Sequence, residues 1–512
     1  MKADIATRRI IHIYLAISII VFGYLSEGLF LNSYGYYSDD WVHGEMSYFS
    51  KDKHGNSEHL LFLFRYDHRP FRFFEFLIKT FLIQRFDLSI AYMVQISLLI
   101  MSALLLYRIF LWRLHPFLSF LLALSFLLAP LDTTTIWLAT THWRIAMILT
   151  LLAVITSNTS YRFAALPLLI TASLFNEGPV PLYLMAVLWL PSTDRRCRKQ
   201  QFVVVNFILF IIIYLIWRFG IQHNDIRIQG IVHEQNSLLF RFTWNYLLGV
   251  YVVGISGLKF ITDASIMRPD VFVVSVLFSG LLLALSGFLT CRHSEMKILE
   301  MISMKNIRWC FMNALVCILL TYWSGLFAWT TFKMNSSSRF NYPANIAFAF
   351  FILGCIFIVT RMLRKIFKKK TWLIGIGIMS IFMGALMAHK IRVQEQYAIA
   401  WQDQINVLQS LAVKSAGLPL GSCIILDFSE PESYAISTFR IYEAWHRESI
   451  SRCLFFPRSV VLLLSDINAC LITENGKLLI FYNNRIISTD QNHVYLYKWD
   501  GNDVNQVLMS CE

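Results

Sequence analysis

Two adjacent carboxylates near the start of the chain are the residues best suited to chemistry. Asp39 and Asp40 lie within residues 36–43, directly after the first long apolar run. One carboxylate of such a pair can accept a proton from an incoming hydroxyl group, and the other can hold a divalent cation that neutralises a phosphate leaving group. The same pair could equally cap the helix that follows it, so the pair alone leaves both interpretations open.

Arginines that could bind a phosphate occur in two further segments. Residues 67–72 read Asp-His-Arg-Pro-Phe-Arg, and Arg69 or Arg72 could hold a phosphate through two parallel hydrogen bonds. Either side chain could instead lie along the membrane surface with its charge in water. Arg339, with Tyr342 close by, opens a later apolar run, where an arginine suits an anionic lipid headgroup.

More ionisable residues flank the short apolar runs between residues 117 and 190. They are Asp132 after Pro130, the triplet His142-Trp143-Arg144 and the pair Asn176-Glu177. Ionisable groups at membrane depth are costly, so they usually face a cavity and carry a function. A structural salt bridge is the alternative for Glu177, and a histidine at a membrane surface, such as His142, needs no function.

Several function classes lack support. The sequence contains no Gly-rich phosphate loop, no cysteine–histidine zinc spacing and no nucleophile elbow, so nucleotide binding is not indicated. The formal net charge of +13 has its densest cluster at residues 361–370, between two apolar runs. That position indicates a signal for membrane topology and no nucleic-acid partner.

The elements that must position these residues are membrane-spanning helices. The chain of 512 residues is 56% hydrophobic and 15% charged, which is typical of a protein surrounded by lipid. Apolar runs of spanning length recur, for example at residues 10–30, 90–110, 202–219, 271–289, 340–359 and 371–388. We therefore predict an all-α polytopic membrane protein with about ten or eleven transmembrane helices.

Basic short loops after the even-numbered runs place the N-terminus in the cytoplasm. The opposite, extracytoplasmic side then receives residues 31–89, 129–144, 221–270 and 330–341, and everything after about residue 390. All candidate site residues fall near that side. Pro130, Pro167, Pro179 and Pro181 interrupt the runs between 117 and 190 and could mark broken or re-entrant helices.

The composition changes after residue 388 to a mixture of polar and apolar residues. Alternating stretches at 423–428, 459–464, 477–482 and 493–499 predict strands, and residues 432–446 predict a helix between them. We expect a transmembrane domain over residues 1–389 and a small C-terminal α/β extracytoplasmic domain over 390–512. Cys423, Cys453, Cys470 and Cys511 of that domain could form two disulfides in any of three pairings, or stay free.

Taken in order, the motifs resemble those of the GT-C superfamily of membrane glycosyltransferases, which use polyprenyl-phosphate sugars outside the cytoplasmic face. The resemblance covers roughly residues 10–415. The motifs that carry it are Ser38-Asp39-Asp40-Trp41, His68-Arg69-Pro70 with the following aromatic stretch, Pro130-Leu131-Asp132 with Trp137 and Arg144, Asn176-Glu177, Arg339-Phe340-Asn341-Tyr342-Pro343, and Trp401. Asn176 departs from the usual basic residue, and Phe340 from a common tyrosine.

The resemblance implies a role for each residue. Asp39 or Asp40 would deprotonate the acceptor hydroxyl group, with family precedent favouring Asp39. The roles implied for the remaining residues are donor-phosphate binding by Arg69, Arg144 and Arg339, and orientation of the acceptor or the arginines by His68, Asp132, His142, Glu177 and Tyr342. Metal dependence varies in the superfamily, so a divalent cation, Mg²⁺ or Mn²⁺, held by Asp40 stays open, and no other cofactor is implied.

In its predicted architecture the chain further resembles the bacterial glucosyltransferases that modify O-antigen. This implies transfer of a hexose, with glucose favoured, from a polyprenyl-phosphate donor to a lipid-linked or surface glycan, in a bacterial inner membrane and among membrane lipids. An O-antigen polymerase or ligase is one alternative, although the acidic motif comes early in the chain. A lipid-linked-sugar flippase is another, although no inverted repeat is detected.

Overall fold

The structure is a computed structural model that describes helices over much of the chain and several strands near its C-terminus. The described residues are 2–34, 70–132, 137–190, 196–217, 238–259, 268–292, 303–322, 341–366, 371–418, 423–427, 461–464, 471–474, 477–482, 485–490, 494–499 and 504–507.

Helices make up most of the described chain. In chain order they are α1 (Lys2–Glu27), α2 (Arg72–Arg85), α3 (Leu88–Phe110), α4 (Pro116–Leu127), α5 (Thr141–Ser157), α6 (Ala165–Phe175), α7 (Ala186–Trp189), α8 (Arg196–Leu215), α9 (Leu238–Tyr251), α10 (Pro269–Arg292), α11 (Met304–Thr321), α12 (Asn345–Ile366) and α13 (Thr371–Lys414). Short 3-10 helices at Leu138–Thr140 and Val180–Met185 precede α5 and α7.

Six of the described helices are long and apolar enough to cross a membrane, namely α1, α3, α8, α10, α12 and α13. Large apolar side chains on α10 also point away from the protein, as Val274, Leu277 and Leu281 show by being more than half exposed. Lipid is the solvent in which such exposure is favourable. The chain is therefore a mostly helical membrane protein.

The count of ten or eleven spans exceeds these six helices. Part of the difference lies between residues 116 and 190, where the helices are short: α4 has 12 residues, α5 has 17 and α6 has 11. A helix needs about 20 residues to span a bilayer. Pro130 follows the end of α4, while Pro179 and Pro181 start the 3-10 helix before α7.

The core is built around α4. Every residue from Phe117 to Leu127 is buried, because α1, α3, α10 and α12 pack around this helix. A helix that is apolar on all sides belongs in the interior of a bundle. The chain continues from the C-terminal end of α4 into Pro130 and Asp132, so this candidate site segment lies at one end of the bundle.

The two helices α10 and α13 approach each other closely. A Cβ atom on Gly384 of α13 would lie 2.6 Å from the Cα atom of Val276, so only glycine permits this backbone contact. Gly280 of α10 faces the Ser380 side chain at a looser contact. The long helix α13 is thereby fixed along α10.

Strands form two sheets after residue 418. They are β1 (Cys423–Asp427), β2 (Val461–Leu464), β3 (Leu471–Glu474), β4 (Lys477–Tyr482), β5 (Arg485–Asp490), β6 (Val494–Trp499) and β7 (Val504–Val507). One sheet has the order β2-β1-β6-β7, with β1 parallel to both β2 and β6, and β7 antiparallel to β6. The other is the antiparallel sheet β3-β4-β5.

The expected C-terminal α/β domain is not supported by the described residues. Everything described after residue 418 is strand, and the helix predicted at 432–446 lies outside the described residues. The boundary drawn at 389/390 falls inside α13, because this helix continues without a break from apolar into polar residues. Cys423 lies in β1, whereas Cys453, Cys470 and Cys511 lie outside the described residues.

Candidate functional site

Buried charged and polar side chains converge at one end of the bundle. We call this group the polar cluster. Its members are Glu27, Glu75, Lys79, Asp132, His142, Arg144, Tyr342 and Lys390, all less than a tenth exposed. Burying a charge in an apolar interior is costly unless it is paired or hydrogen-bonded, so their contacts define what the cluster can do.

Arg144 lies at the centre of the cluster, in the first turn of α5. Its guanidinium carbon lies 5.5 Å from the centre of the Tyr342 ring, and its Nη1 donates a hydrogen bond of 2.9 Å to Thr140 Oγ1. A guanidinium over an aromatic ring gains a cation–π attraction that grows when water is excluded. The arrangement holds the planar guanidinium in one orientation, which suits recognition of an anion.

Tyr342 stays a neutral phenol in this setting. Burial raises its pKa to about 12, although Arg144 acts in the opposite direction, and Asp132 adds to the increase. Its hydroxyl group donates to Ser102 Oγ at 3.3 Å. The structure thus brings together Asp132, Arg144 and Tyr342, three of the residues that the sequence predicted for the site.

Asn341 ties the start of α12 to the Pro130–Asp132 segment. Its side-chain nitrogen donates to the Leu131 carbonyl oxygen at 3.3 Å, and its side-chain oxygen accepts from the Tyr322 hydroxyl group at 2.8 Å. The oxygen and the nitrogen of the side-chain amide are thus both hydrogen-bonded, which fixes the orientation of the amide. The residue directly after Arg339 and Phe340 is therefore anchored in the cluster.

An ion pair between the first and last spans was missed by the sequence analysis. Lys390 Nζ of α13 lies 2.9 Å from Glu27 Oε1 of α1, and it donates to the Asp132 carbonyl oxygen at 3.4 Å. Both residues end apolar runs predicted to exit on the same side. Opposite charges at two such positions are the signal that could have identified the pair.

Gln394, one turn after Lys390, closes the contact between α1 and α13. Its side-chain oxygen accepts hydrogen bonds from the Tyr34 hydroxyl group at 2.8 Å and from the Leu29 backbone nitrogen at 3.1 Å. Its nitrogen donates to the Ser26 carbonyl oxygen. The polar groups at the end of α1 are thus satisfied by one side chain of α13.

A second set of charges docks α2 onto the start of α5. Glu75 lies 2.5 Å from Lys79 and 3.5 Å from His142 Nδ1, while Lys79 Nζ donates to the Leu138 carbonyl oxygen. Burial alone would raise the pKa of Glu75, but Lys79, His142 and Arg72 outweigh it and hold the pKa well below its usual range. Glu75 is therefore ionised, and it orients His142. Sequence reasoning missed Glu75 and Lys79, which resemble the polar face of an interfacial helix.

The Asn176-Glu177 pair forms a turn next to Trp143. Asn176 is fully buried, and its side-chain oxygen accepts from the Gly178 backbone nitrogen at 2.8 Å. A Cβ atom on Gly178 would lie 2.4 Å from Trp143 Cζ3, so the turn is pressed against the residue between His142 and Arg144. The Glu177 side chain is half-buried at this position.

An aromatic layer covers one side of the cluster. Tyr34, Tyr92, Trp137 and Tyr397 are buried together, with Trp401 packed against them. The rings of Tyr34 and Tyr92 meet edge to face at 5.2 Å between centroids. This layer places Trp401, the last motif of the family resemblance, beside the polar cluster.

The remaining predicted residues lie outside the described residues: Asp39, Asp40, His68, Arg69 and Arg339. Their described neighbours in the chain, Tyr34, Pro70 and Asn341, are all buried. Among the residues that the structure describes, no three His, Cys, Asp or Glu side chains form a group that could hold a metal ion. A metal ligand role for Asp40 therefore stays a prediction.

An apolar groove begins at Pro70. We call it the α2 groove. It has a volume of about 360 Å³ and is lined by Pro70 and Phe71 before α2, Leu174 of α6, and Tyr214 and Trp217 at the end of α8. The Phe71 backbone nitrogen donates to the Leu174 carbonyl oxygen at 3.2 Å, which joins the start of α2 to α6.

Comparison with known proteins adds no family to these observations. No family model, no curated protein sequence and no solved structure matches the chain.

Proposed function

We propose that the protein is a membrane glycosyltransferase of GT-C type. It moves a hexose, with glucose favoured, from a polyprenyl-phosphate donor to a lipid-linked or surface glycan such as O-antigen. The observation that carries the proposal is the burial of Arg144 against Tyr342 and beside Asp132, at the end of the bundle that the charge distribution predicts to be extracytoplasmic.

Buried cations suit the leaving group of this reaction. A departing polyprenyl phosphate gains negative charge, and preorganised positive groups that exclude water stabilise that charge most effectively. Arg144 is held in place by its ring contact and its hydrogen bond to Thr140. In this proposal Arg69 and Arg339, which adjoin described parts of the cluster in the chain, provide the other donor-phosphate contacts.

The α2 groove offers a place for the lipid chain of the donor. Its lining is almost entirely apolar, and it starts at Pro70, the residue directly after Arg69. A phosphate gripped by Arg69 would therefore have its prenyl chain at the mouth of the groove. Apolar surface buried there would favour a long hydrocarbon over a water-soluble donor.

The chemical step is an in-line displacement at the anomeric carbon of the sugar. The acceptor hydroxyl oxygen forms the new bond to that carbon, and the bond from the carbon to the phosphate oxygen breaks. The hydroxyl proton passes to Asp39, or alternatively to Asp40, and the electron pair of the broken bond leaves with polyprenyl phosphate. Asp132, His142, Glu177, His68 and Tyr342 act in orientation, because a misplaced acceptor loses most of the rate.

A bacterial inner membrane with the N-terminus in the cytoplasm is the setting for this activity. The donor and the acceptor both meet the protein from its extracytoplasmic side. A divalent cation at Asp40 would assist the leaving phosphate by neutralising its charge. Nucleic acid plays no part in the proposal.

The experiment that tests the proposal uses purified full-length protein in nanodiscs. Polyprenyl phosphate carrying a radiolabelled glucose is supplied with a lipid-linked glycan acceptor, and label in the acceptor is counted. We expect transfer by the wild-type protein and none by the variant that removes the base, Asp39→Asn or alternatively Asp40→Asn. Movement of intact donor across the bilayer without bond cleavage would indicate a flippase, and joining of glycan chains without a monosaccharide donor would indicate a polymerase or ligase.

A cellular assay complements the purified system. Surface glycan composition is compared in a deletion strain that carries wild type, Asp39→Asn or Asp40→Asn, after each protein has been detected in the membrane. Loss of one sugar with either variant supports the transferase. Full restoration by both variants would make the Asp pair structural and overturn the mechanism.

A further inference from the structure

A second apolar groove lies between α1, α10 and α13. We call it the α10 groove. It has a volume of about 370 Å³, and its wall includes Leu29 after α1, Val274 and Phe278 of α10, and Ile391 of α13. Pockets of this size commonly hold a small molecule or part of a larger one. Its lining is almost wholly apolar, apart from Ser275 within and Asp270 at one end.

The α10 groove faces the lipid side of a span. Val274, which lines it, is 67% exposed, and Leu277 on the same helix is 69% exposed. Two helices of the wall are also packed closely together, because the backbone of α13 at Gly384 contacts α10 at Val276. A groove that is apolar, open to lipid and firmly backed suits a hydrocarbon chain of a membrane lipid.

Charged groups at the mouth restrict which lipid fits. Arg268 donates from Nε to Asp270 Oδ1 at 3.2 Å and from Nη2 to Asp270 Oδ2 at 3.0 Å. Its Nη1 also donates to Glu395 Oε2 at 2.5 Å. One guanidinium thus meets two carboxylates, so these three side chains together carry one excess negative charge.

The two carboxylates can still bind a cation. The Asp270 side chain is 65% exposed and that of Glu395 is 29% exposed. An ionised carboxylate has about four acceptor positions, so a bond to Arg268 leaves others for a second donor. A primary ammonium group donates three hydrogen bonds and cancels the excess charge. A headgroup with a net negative charge would instead add to the negative charge of the two carboxylates.

We propose that the α10 groove binds one aminophospholipid, such as phosphatidylethanolamine, with a hydrocarbon chain between α1, α10 and α13 and the ammonium group at Asp270. The lipid phosphate would then face the 37% exposed side chain of Arg268. This inference does not depend on the proposed function. Bound lipid would also brace the helices that carry Glu27 and Lys390, because Leu29 and Ile391 closely follow those residues in the chain.

Native mass spectrometry of the purified, delipidated full chain tests the proposal. The probes are phosphatidylethanolamine, phosphatidylglycerol and phosphatidylcholine with identical acyl chains. We expect one phosphatidylethanolamine to bind more tightly than either other lipid, since phosphatidylglycerol is anionic and the choline group has no N–H donor. Equal or tighter binding of phosphatidylglycerol would overturn the proposal.

Variants locate the bound lipid. Val274→Trp fills the groove and should abolish the single-lipid complex, whereas Leu277→Trp, on the same helix and equally exposed, should retain it. Asp270→Asn should lower the preference for phosphatidylethanolamine over phosphatidylglycerol by about two- to fivefold, as expected for exposed charges. Identical lipid binding by both tryptophan variants, or an unchanged preference in Asp270→Asn, would contradict the assignment.

Discussion

Lys390 and Glu27 form an ion pair of 2.9 Å, with only 2% of each side chain exposed, across 363 residues of sequence. The pair joins the first and last long spans at the level of Asp132, whose carbonyl oxygen also accepts from Lys390. A buried pair is strongly destabilised when one partner is lost, because the other charge is then left uncompensated.

Removing one partner of this pair should destabilise the protein more than removing both. We expect Glu27→Gln or Lys390→Met alone to cost about 3 to 5 kcal/mol and the double variant to cost less than either single variant. Thermal unfolding of the purified protein in detergent measures this as a double-mutant cycle. Additive effects of the two substitutions would show that the charges do not interact.

Glu75 should make its contribution to stability at neutral pH and lose it in acid. The pKa of Glu75 is lowered in the folded protein, since the Lys79, His142 and Arg72 charges outweigh burial. A group with a lowered folded pKa stabilises above its unfolded pKa, about 4.3, and this stabilisation is lost as the pH falls through the folded value.

The difference in melting temperature between wild type and Glu75→Gln should therefore stay constant from pH 8 to about pH 5.5 and shrink in stronger acid. At neutral pH the substitution should cost about 3 kcal/mol, as for other broken buried pairs. Glu395→Gln, which breaks a pair at the protein surface, is the control and should cost about 1 kcal/mol or less. A difference that shrinks between pH 8 and pH 6 would contradict an ionised Glu75.

Tyr342 should act through its ring more than through its hydroxyl group. Tyr342→Phe keeps the face over which Arg144 lies and loses only the 3.3 Å hydrogen bond to Ser102. Tyr342→Leu loses the ring. We expect the leucine variant to be less stable than the phenylalanine variant by about 1 to 2 kcal/mol, the size of a desolvated cation–π contact. Equal melting temperatures for the two variants would exclude a cation–π contribution.

Arg144 should contribute to transfer if the proposed function is right. Arg144→Ala should lower kcat for transfer from polyprenyl-phosphate glucose by about 100-fold, as loss of a preorganised charge-stabilising group does in other enzymes. Arg162→Ala is the matched control, since that guanidinium lies over the rings of Phe163 and Phe202, beyond the other end of α5. Transfer assays on membrane-inserted protein separate the two. Equal rates for both variants would remove Arg144 from the donor site.

Part of this site was predictable from local sequence. Asp132, His142, Arg144 and Tyr342 stand out because each is a polar group next to an apolar run, and burial brings them into one cluster. The sequence analysis did not single out Glu27, Glu75, Lys79 and Lys390, although each is also a charged residue within or next to an apolar run. The pairing of Glu27 with Lys390 is revealed only by packing, since hydropathy predicts where spans occur and not which faces meet. Glu75 and Lys79 pair four residues apart on α2, and packing reveals their burial against α5.

The described residues contain six spanning helices, against the ten or eleven predicted for the whole chain. Hydropathy counts apolar residues, whereas a spanning helix also needs an unbroken backbone. The apolar runs from 116 to 190 are interrupted by Pro130, Pro179 and Pro181, and the helices described there are short. The predicted domain boundary at 389/390 falls within α13, because a change from apolar to polar side chains does not end a helix.

Gly178 should be the most sensitive glycine of the site. A Cβ atom there would lie 2.4 Å from Trp143 Cζ3 and 3.0 Å from Cη2, so Gly178→Ala must push the indole or the 176–178 turn away. Overpacking of this kind costs about 1 to 3 kcal/mol. It should also move the residues on either side of Trp143, namely His142 and Arg144, and so reduce transfer activity.

Gly377→Ala is the matched control for this substitution. Gly377 lies within α13, and nothing lies within 4 Å of the added Cβ atom. Alanine there should raise stability by about 0.5 to 1 kcal/mol, because glycine in a helix interior loses more backbone entropy on folding. Melting temperatures of the two variants should therefore move in opposite directions. A Gly178→Ala protein as stable and as active as wild type would mean that the contact with Trp143 does not position the cluster.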